Sequence, residues 1–298
     1  MATVEQRVIR RELGAEARRS HAVSLLRNGA WMTLVYAVLF LLAVVTILPY
    51  LWMVMSSFKS VSNFYQDPYS LLPWQFVLET YQNALGIGRV GVYLKNSFAY
   101  SAVVLAVQLF VNSLAAYAFA RIEFKGRDQL FLAFLATMML PGSVTLIPTY
   151  VLVYSLNLAN TFMGVVIPSF AGAFGVFLLR QFFLNIPKEL EDAALIDGAG
   201  RFRIYWQIII PLAKPAMITL GVFIVLAEWQ SFIWPLVVIT DYQKYPVTVG
   251  LNLFKDEGNV YWPQILAGSV IGSAPLIFIF LVSQKFLIGG ITLSGLKG

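Results

Sequence analysis

Charged side chains are spread unevenly along this chain, and the gaps between them predict its elements. Residues 129 to 179 carry no charge, and the stretches 31–56 and 96–120 are equally bare. A helix needs about 20 apolar residues to cross ~30 Å of hydrocarbon. The 129–179 run is too long for one crossing, and it divides at the polar turn between Ser155 and Thr161. The pattern therefore predicts six helical spans, at about 31–56, 96–120, 129–154, 162–183, 214–240 and 263–287. Glu228 interrupts the fifth. Around them lie an N-terminal tail (1–30), a polar loop (185–213) inside the 31–290 membrane domain, and a C-terminal tail (291–298). In the N-terminal tail Val4, Val8, Ile9 and Leu13 form part of an apolar stripe at helical spacing, which suits a short surface helix. The apolar run that follows is too long for a cleavable signal peptide.

Lys and Arg orient the spans, because loops rich in them stay on the cytoplasmic side. An even number of crossings puts both termini on one side. That side collects 16 of the 21 Lys and Arg, including six Arg in the tail and the five basic residues from Arg180 to Lys214. Both termini and the 185–213 loop are thus expected to be cytoplasmic. The aromatic-rich segment from Lys59 to Lys95 is expected outside.

Composition narrows the classes. A hydrophobic share of 59%, a charged share of 12% and a mean hydropathy of +0.74 exclude an ordinary soluble domain. The net charge of +6 follows membrane sidedness rather than forming a nucleic-acid patch, so no nucleic-acid partner is expected. The chain has no cysteine, which excludes disulfides, thiolate metal sites and cysteine nucleophiles. Its one histidine, His21, lies in the polar tail and reads as a solvated residue; no metal site is expected. Gly86, Gly88 and Gly91 spell G-x-G-x-x-G, but no strand precedes them and they fall on the outer side. No G-x-x-x-x-G-K-[ST] run occurs. The chain is therefore expected to bind no cofactor and to hydrolyse no ATP itself.

The most charged long segment after the tail is Asn185 to Pro215, NIPKELEDAALIDGAGRFRIYWQIIIPLAKP. Locally it reads as helix, break, helix. Pro187 suits a first helical turn, and Glu189, Glu191 and Asp192 follow at the positive end of the helix dipole. Gly198 and Gly200 supply the break, and a second helical run from Arg201 to Ile210 stops at Pro211. A polar hairpin of this kind does not sit in hydrocarbon. It either lies along the membrane surface as an amphipathic connector or docks into another protein.

Its residues point to the second reading. Asp192-Ala193-Ala194, Gly198, Ile208, Ile210 and Pro211 resemble the EAA loop of binding-protein-dependent ABC importer permeases: Glu-Ala-Ala, three residues, Gly, nine residues, Ile-x-Leu-Pro. Asp stands for Glu at 192 and Ile for Leu at 210, with the spacing intact. The resemblance implies that this loop is the coupling helix, docked in a groove of an ATP-hydrolysing subunit. Ala193 and Ala194 would permit close approach. Asp192 is one methylene shorter than the usual Glu, so Glu191 or Glu189 is the substitute acid for a partner's basic group. Gly198 would let the second helix leave at an angle.

Glu228 is the one acid deep in a span, where a charge costs roughly 2.5–3.5 kcal/mol on insertion scales. It is expected to face the bundle interior or a wet cavity. Glu228-Trp229-Gln230-Ser231, with Trp234-Pro235 beyond, resembles the family's Trp-Asn-x-Phe-x-x-Pro segment, Gln230 standing for Asn. A carboxylate, an amide and two indoles suit a sugar in a transport path. The same groups also suit a self-satisfied polar cluster between helices, and in a secondary transporter Glu228 would carry a coupling proton. Pro141-Gly142 and Pro148 predict a kink or break in the third span, as a hinge or pathway lining or as a plain bend. Gly268 and Gly272 form a small face for close helix packing. Leu72 to Leu85 resembles the family's lead-in to the permease core, Tyr81 matching and Thr80 standing for Asn. It reads as interfacial helices or as a surface for a solute-binding protein. The ending from Gly290 to Gly298 resembles the family's tail, which in maltose-type relatives reaches toward the ATPase subunits.

These similarities cover nearly the whole chain beyond the tail and resemble the smaller permease of maltose or multiple-sugar importers. They imply an all-α integral membrane protein with six transmembrane helices and the type I ABC importer permease fold, both termini cytoplasmic. They also imply a bacterial or archaeal plasma (inner) membrane location. The implied partners are a second, unlike permease subunit, two ATP-binding subunits that use ATP and Mg, an extracytoplasmic solute-binding protein, the lipid bilayer and a sugar substrate.

Overall fold

The computed structural model describes residues 31–256 and 259–295, with side chains for 31–254 and 261–284. The expected tail stripe, His21 and residues 296–298 lie outside the described residues. The described residues are helical almost throughout. α1 (Trp31–Ser56) is followed by short α2 (Val61–Gln66) and α3 (Glu79–Leu85), then by the long α4 (Val90–Arg121). α5 (Arg127–Ala136) tightens into a 3₁₀ turn to Met139 and gives way to α6 (Gly142–Ser155). α7 (Phe162–Val166) does the same to Ser169 before α8 (Ala173–Leu184). α9 (Glu189–Ile196) and α10 (Arg201–Ile204) form the polar hairpin, and a π-helical turn (Tyr205–Ile209) joins α10 to α11 (Ile210–Leu212). α12 (Lys214–Trp229), α13 (Ile233–Val238), α14 (Val247–Gly250) and α15 (Trp262–Gly295) complete the fold. Between α14 and α15, Lys255–Asp256 pairs antiparallel with Asn259–Val260.

α4 is the central strut, packed on α8 and α12, while α12 also meets α15 and α15 meets α3. Among its buried positions, Ser97, Ser101, Val104, Ser113, Ala116 and Ala120 are small or slender, and Tyr93, Tyr100 and Tyr117 fill the space between them. Small residues let helices approach closely where no hydrophobic effect drives them together. The core beneath them joins Val176, Leu179 and Phe183 of α8 to Leu220 and Ile224 of α12. The expected small face on α15 behaves likewise: a Cβ on Gly268 would collide with the Leu251 side chain, and one on Gly272 would come within 3.0 Å of Val247. On the segment from Lys59 to Lys95, Thr80 Oγ1 donates to Ser57 O at 2.7 Å, and the Tyr81 hydroxyl lies 2.7 Å from Ser57 Oγ. These two bonds tie α3 to the end of α1. Lys59 is buried beside them and donates to Asp67 O (3.0 Å) and Ser70 O (2.8 Å), which closes the loop after α2.

Among the described residues, three helices are long and apolar enough to cross a membrane singly, Trp31–Ser56, Val90–Arg121 and Trp262–Gln284. Three bent pairs raise the number to six if each counts as one span. α1 coincides with the expected first stretch; in the other stretches the helices start, stop or bend elsewhere. α4 starts at Val90 rather than 96, because Lys95 rides on the helix instead of bounding it. The 129–154 stretch turns through 101° at Leu140–Pro141. Leu140 is extended there, as a residue before proline tends to be, and Pro148 is accommodated inside α6. The 162–183 stretch breaks by 42° around Phe170–Gly172. The 214–240 stretch stops at Trp229 and restarts at Ile233, because Pro235 falls in the first turn of α13, where its missing N–H is harmless. Pro211 does not end its helix as expected. The π turn just before it absorbs the proline, and the chain swings through 78° only at Ala213. The α15 helix also continues through residues 291–295 of the expected C-terminal tail.

Candidate functional site

The α9–α10 hairpin is built by its sequence in a legible way. α9 opens just after Pro187 with Glu189, Glu191 and Asp192 in its first turn, where the helix dipole favours acids. It closes on a Schellman motif. Gly198 N–H donates to Leu195 O (3.0 Å), Ala199 N–H donates to Ala194 O (2.9 Å), and Gly198 takes φ +80°. Gly200 then precedes α10 in extended conformation. Ile204, Tyr205 and Ile209 turn inward, and the Tyr205 hydroxyl lies 2.8 Å from Ser113 Oγ on α4.

The hairpin exposes large apolar side chains among charged ones, Glu189, Asp192, Asp197, Arg201 and Arg203. Ile196 is 87% exposed and Phe202 68%, with Leu190, Leu195 and Trp206 bare beside them. Asp192, Ala193, Gly198 and Pro211 are exposed; Ala194, Ile208 and Ile210 are half-buried. Glu189 is exposed. Glu191 is not, and this corrects its reading as an acid available to a partner. It is 4% exposed and its Oε1 lies 2.8 Å from Arg121 Nε at the end of α4. The Nε–H is not aimed at that oxygen, so charge rather than an aligned hydrogen bond holds the pair. The aligned bonds of the guanidinium go from Nη2 to Phe183 O (2.5 Å) and to Ile186 O. Arg201 Nη1 (3.9 Å) and the Tyr117 hydroxyl (3.5 Å) approach the other carboxylate oxygen of Glu191. Removing one member of such a buried pair costs about 3–5 kcal/mol.

The second constellation divides when its side chains are placed. Trp229 is 2% exposed; its Nε1 donates to Gly272 O (3.0 Å) and its ring meets Phe98 edge-on at 4.8 Å. Its indole is therefore a tie between α12 and α15, which corrects its reading as a sugar platform. Trp234 spends its N–H on Val165 O at 3.1 Å. Gln230 is exposed, Ser231 half-buried, and Ser231 O accepts from Thr248 Oγ1 (2.6 Å). Glu228 is half-buried, and Ser169 beside it lies in the 3₁₀ turn before the α7–α8 break. Sequence reasoning missed the amides around that break. Asn112 Oδ1 accepts from Gly172 N–H (3.1 Å), and Gln108 Nε2 donates to Ser169 O. The signal was available: both are amides in an otherwise apolar span, open to the argument applied to Glu228.

Comparison with known proteins places this geometry. Residues 108–292 match the family model of the binding-protein-dependent transport system inner membrane component. The chain belongs to that family. Among relatives of the permease, the arabinooligosaccharides transport system permease protein AraQ of Halalkalibacterium halodurans is 32% identical over 86% of this chain and 93% of its own. The trehalose/maltose transport system permease protein MalG of Thermococcus litoralis is 32% identical over 87% and 94%. A crystal structure of a bacterial ABC transporter that imports the acidic polysaccharide alginate includes a chain with TM-score 0.78, 25% identity, and 85% and 95% coverage. The permease is thus a multi-pass protein of the plasma membrane from a family of sugar ABC importer subunits. Within that family the proton-coupled reading of Glu228 has no support.

Proposed function

We propose that the permease is one membrane subunit of an ATP-driven importer that takes up a sugar or oligosaccharide delivered by a solute-binding protein. It spans the membrane six times with both termini in the cytoplasm, pairs with a second, unlike permease, and couples to two ATP-binding subunits through the α9–α10 hairpin. The observation that carries this reading is the hairpin itself: an EAA-like sequence folded into a helical hairpin that leaves Ile196, Phe202 and Trp206 bare and whose break is fixed by Gly198. Such a surface is costly to leave in water and is the kind that marks a partner site. Asp192, Ala193 and Ala194 would face the ATPase groove, and Ile208, Ile210 and Pro211 would pass its movement to α12. ATP and Mg are bound by the partners, and this chain supplies no cofactor site. Sugar would pass half-buried Glu228 and Ser231 and exposed Gln230, with Trp229 and Trp234 bracing that segment from behind.

The test is uptake into proteoliposomes holding the purified importer complex, with its binding protein and radiolabelled arabino- and malto-oligosaccharides as probes. The reading expects uptake that requires ATP inside the cytoplasmic compartment and survives collapse of the proton gradient. Uptake driven by the proton gradient without ATP would overturn it.

A further inference from the structure

Arg121 is the last residue of α4, and its side chain stands where the ends of three helices converge. One guanidinium serves all three. It complements the negative C-terminal end of its own helix, it donates to Phe183 O and Ile186 O, carbonyls at and just beyond the end of α8, and it pairs with Glu191 in the first turn of α9. Each charge sits at the dipole end that favours it. The group is 8% exposed, so water and salt screen it weakly. α4 and α8 are in turn the most extensively packed helix pair of the bundle, both built on the same core as α12. Exposed Ala193 and Ile196 lie roughly 160° and 140° around α9 from Glu191. A force applied to either would reach α4 and α8 through Glu191 and Arg121, in parallel with the backbone route through Gly198 and the π turn to α12.

We propose that Arg121 is a positioning residue for coupling: with Glu191 it locks the α9 helix to the cytoplasmic ends of α4 and α8, so that motion of the hairpin turns the bundle rather than bending the hairpin alone. The proposal rests on the coupling role of the hairpin. A planar guanidinium fits the task because it reaches two backbone carbonyls and a carboxylate from one fixed plane, whereas the lysine ammonium is a point charge on a flexible stem.

The experiment must separate coupling from folding, since Arg121→Ala leaves a buried Glu191 unpaired. The double variant Arg121→Met/Glu191→Met removes both charges at similar volume, a change that is often neutral in stability. The chain has no cysteine, so Ile196→Cys in both backgrounds provides a single crosslinking reporter of docking. In the purified complex three quantities are read: thermal stability, capture of the thiol at position 196 by the ATPase subunit, and sugar transported per ATP hydrolysed. The expected result is unchanged stability and capture, with transport per ATP reduced on the order of tenfold, the size of a typical coupling between sites. Arg121→Lys is expected to fall in between. Normal transport per ATP in a stable, captured double variant would overturn the clamp while leaving the hairpin's docking role intact. Absence of capture in the parent background would overturn the docking role itself.

Discussion

At Gly198 the backbone alone demands glycine: φ is +80°, and a methyl group added there would meet no neighbouring atom. Gly198→Ala should therefore destabilise the hairpin by roughly 1–2 kcal/mol through left-handed strain, and Gly198→Asn by less. Hydrogen exchange over residues 189–212 measures this directly, as faster exchange in the alanine variant. Trp229 presents the opposite case, a residue specified by what surrounds it. Trp229→Phe keeps the ring against Phe98 but loses the indole bond to Gly272 O, for a loss of about 1 kcal/mol in thermal stability. Because the indole has no exposed face, the same variant should leave the KM for sugar uptake unchanged, whereas Gln230→Ala, on the exposed side, should raise it. A raised KM in Trp229→Phe would return that residue to the transport path.

The helix breaks show what a sequence does and does not disclose. Proline signals were legible at Pro141, where the chain turns through 101°. Pro235 carried a signal too, but it marks a helix start rather than an interior kink, because the three residues before α13 leave the helix and the proline falls in its first turn. The α7–α8 break follows Pro168, in the 3₁₀ turn, and ends at Gly172. Asn112, distant in sequence, accepts from Gly172 N–H, and Gly175 leaves room for the Asn112 amide. No local pattern encodes that long-range tie. The geometry yields a double-mutant cycle. A Cβ at 175 would overlap Asn112 Nδ2, so Gly175→Ala should lower thermal stability by about 1–3 kcal/mol. Asn112→Ala added to it should recover part of that loss, since contacting residues couple by about 0.5–3 kcal/mol. Strict additivity of the two substitutions would contradict the close packing.

Across the whole molecule, the alternation of bare and charged stretches fixed the membrane class and the hairpin's position, because hydrocarbon enforces that pattern on every crossing. The spacing from Asp192 to Pro211 carried the family, which the match over residues 108–292 confirms. What stayed hidden was direction. Nothing local distinguishes Glu191, turned onto Arg121, from Asp192, turned outward, one position along the same helix. That difference organises the most direct measurement of the account. Single cysteines are placed in turn at Ile196, Phe202, Glu191 and Tyr205 of this cysteine-free chain, and each is offered to the ATPase subunit in the native membrane with a short crosslinker. The account predicts capture from 196 and 202, altered by ATP, and none from the buried 191 and 205. Capture from none of the four, or equally from all, would contradict it.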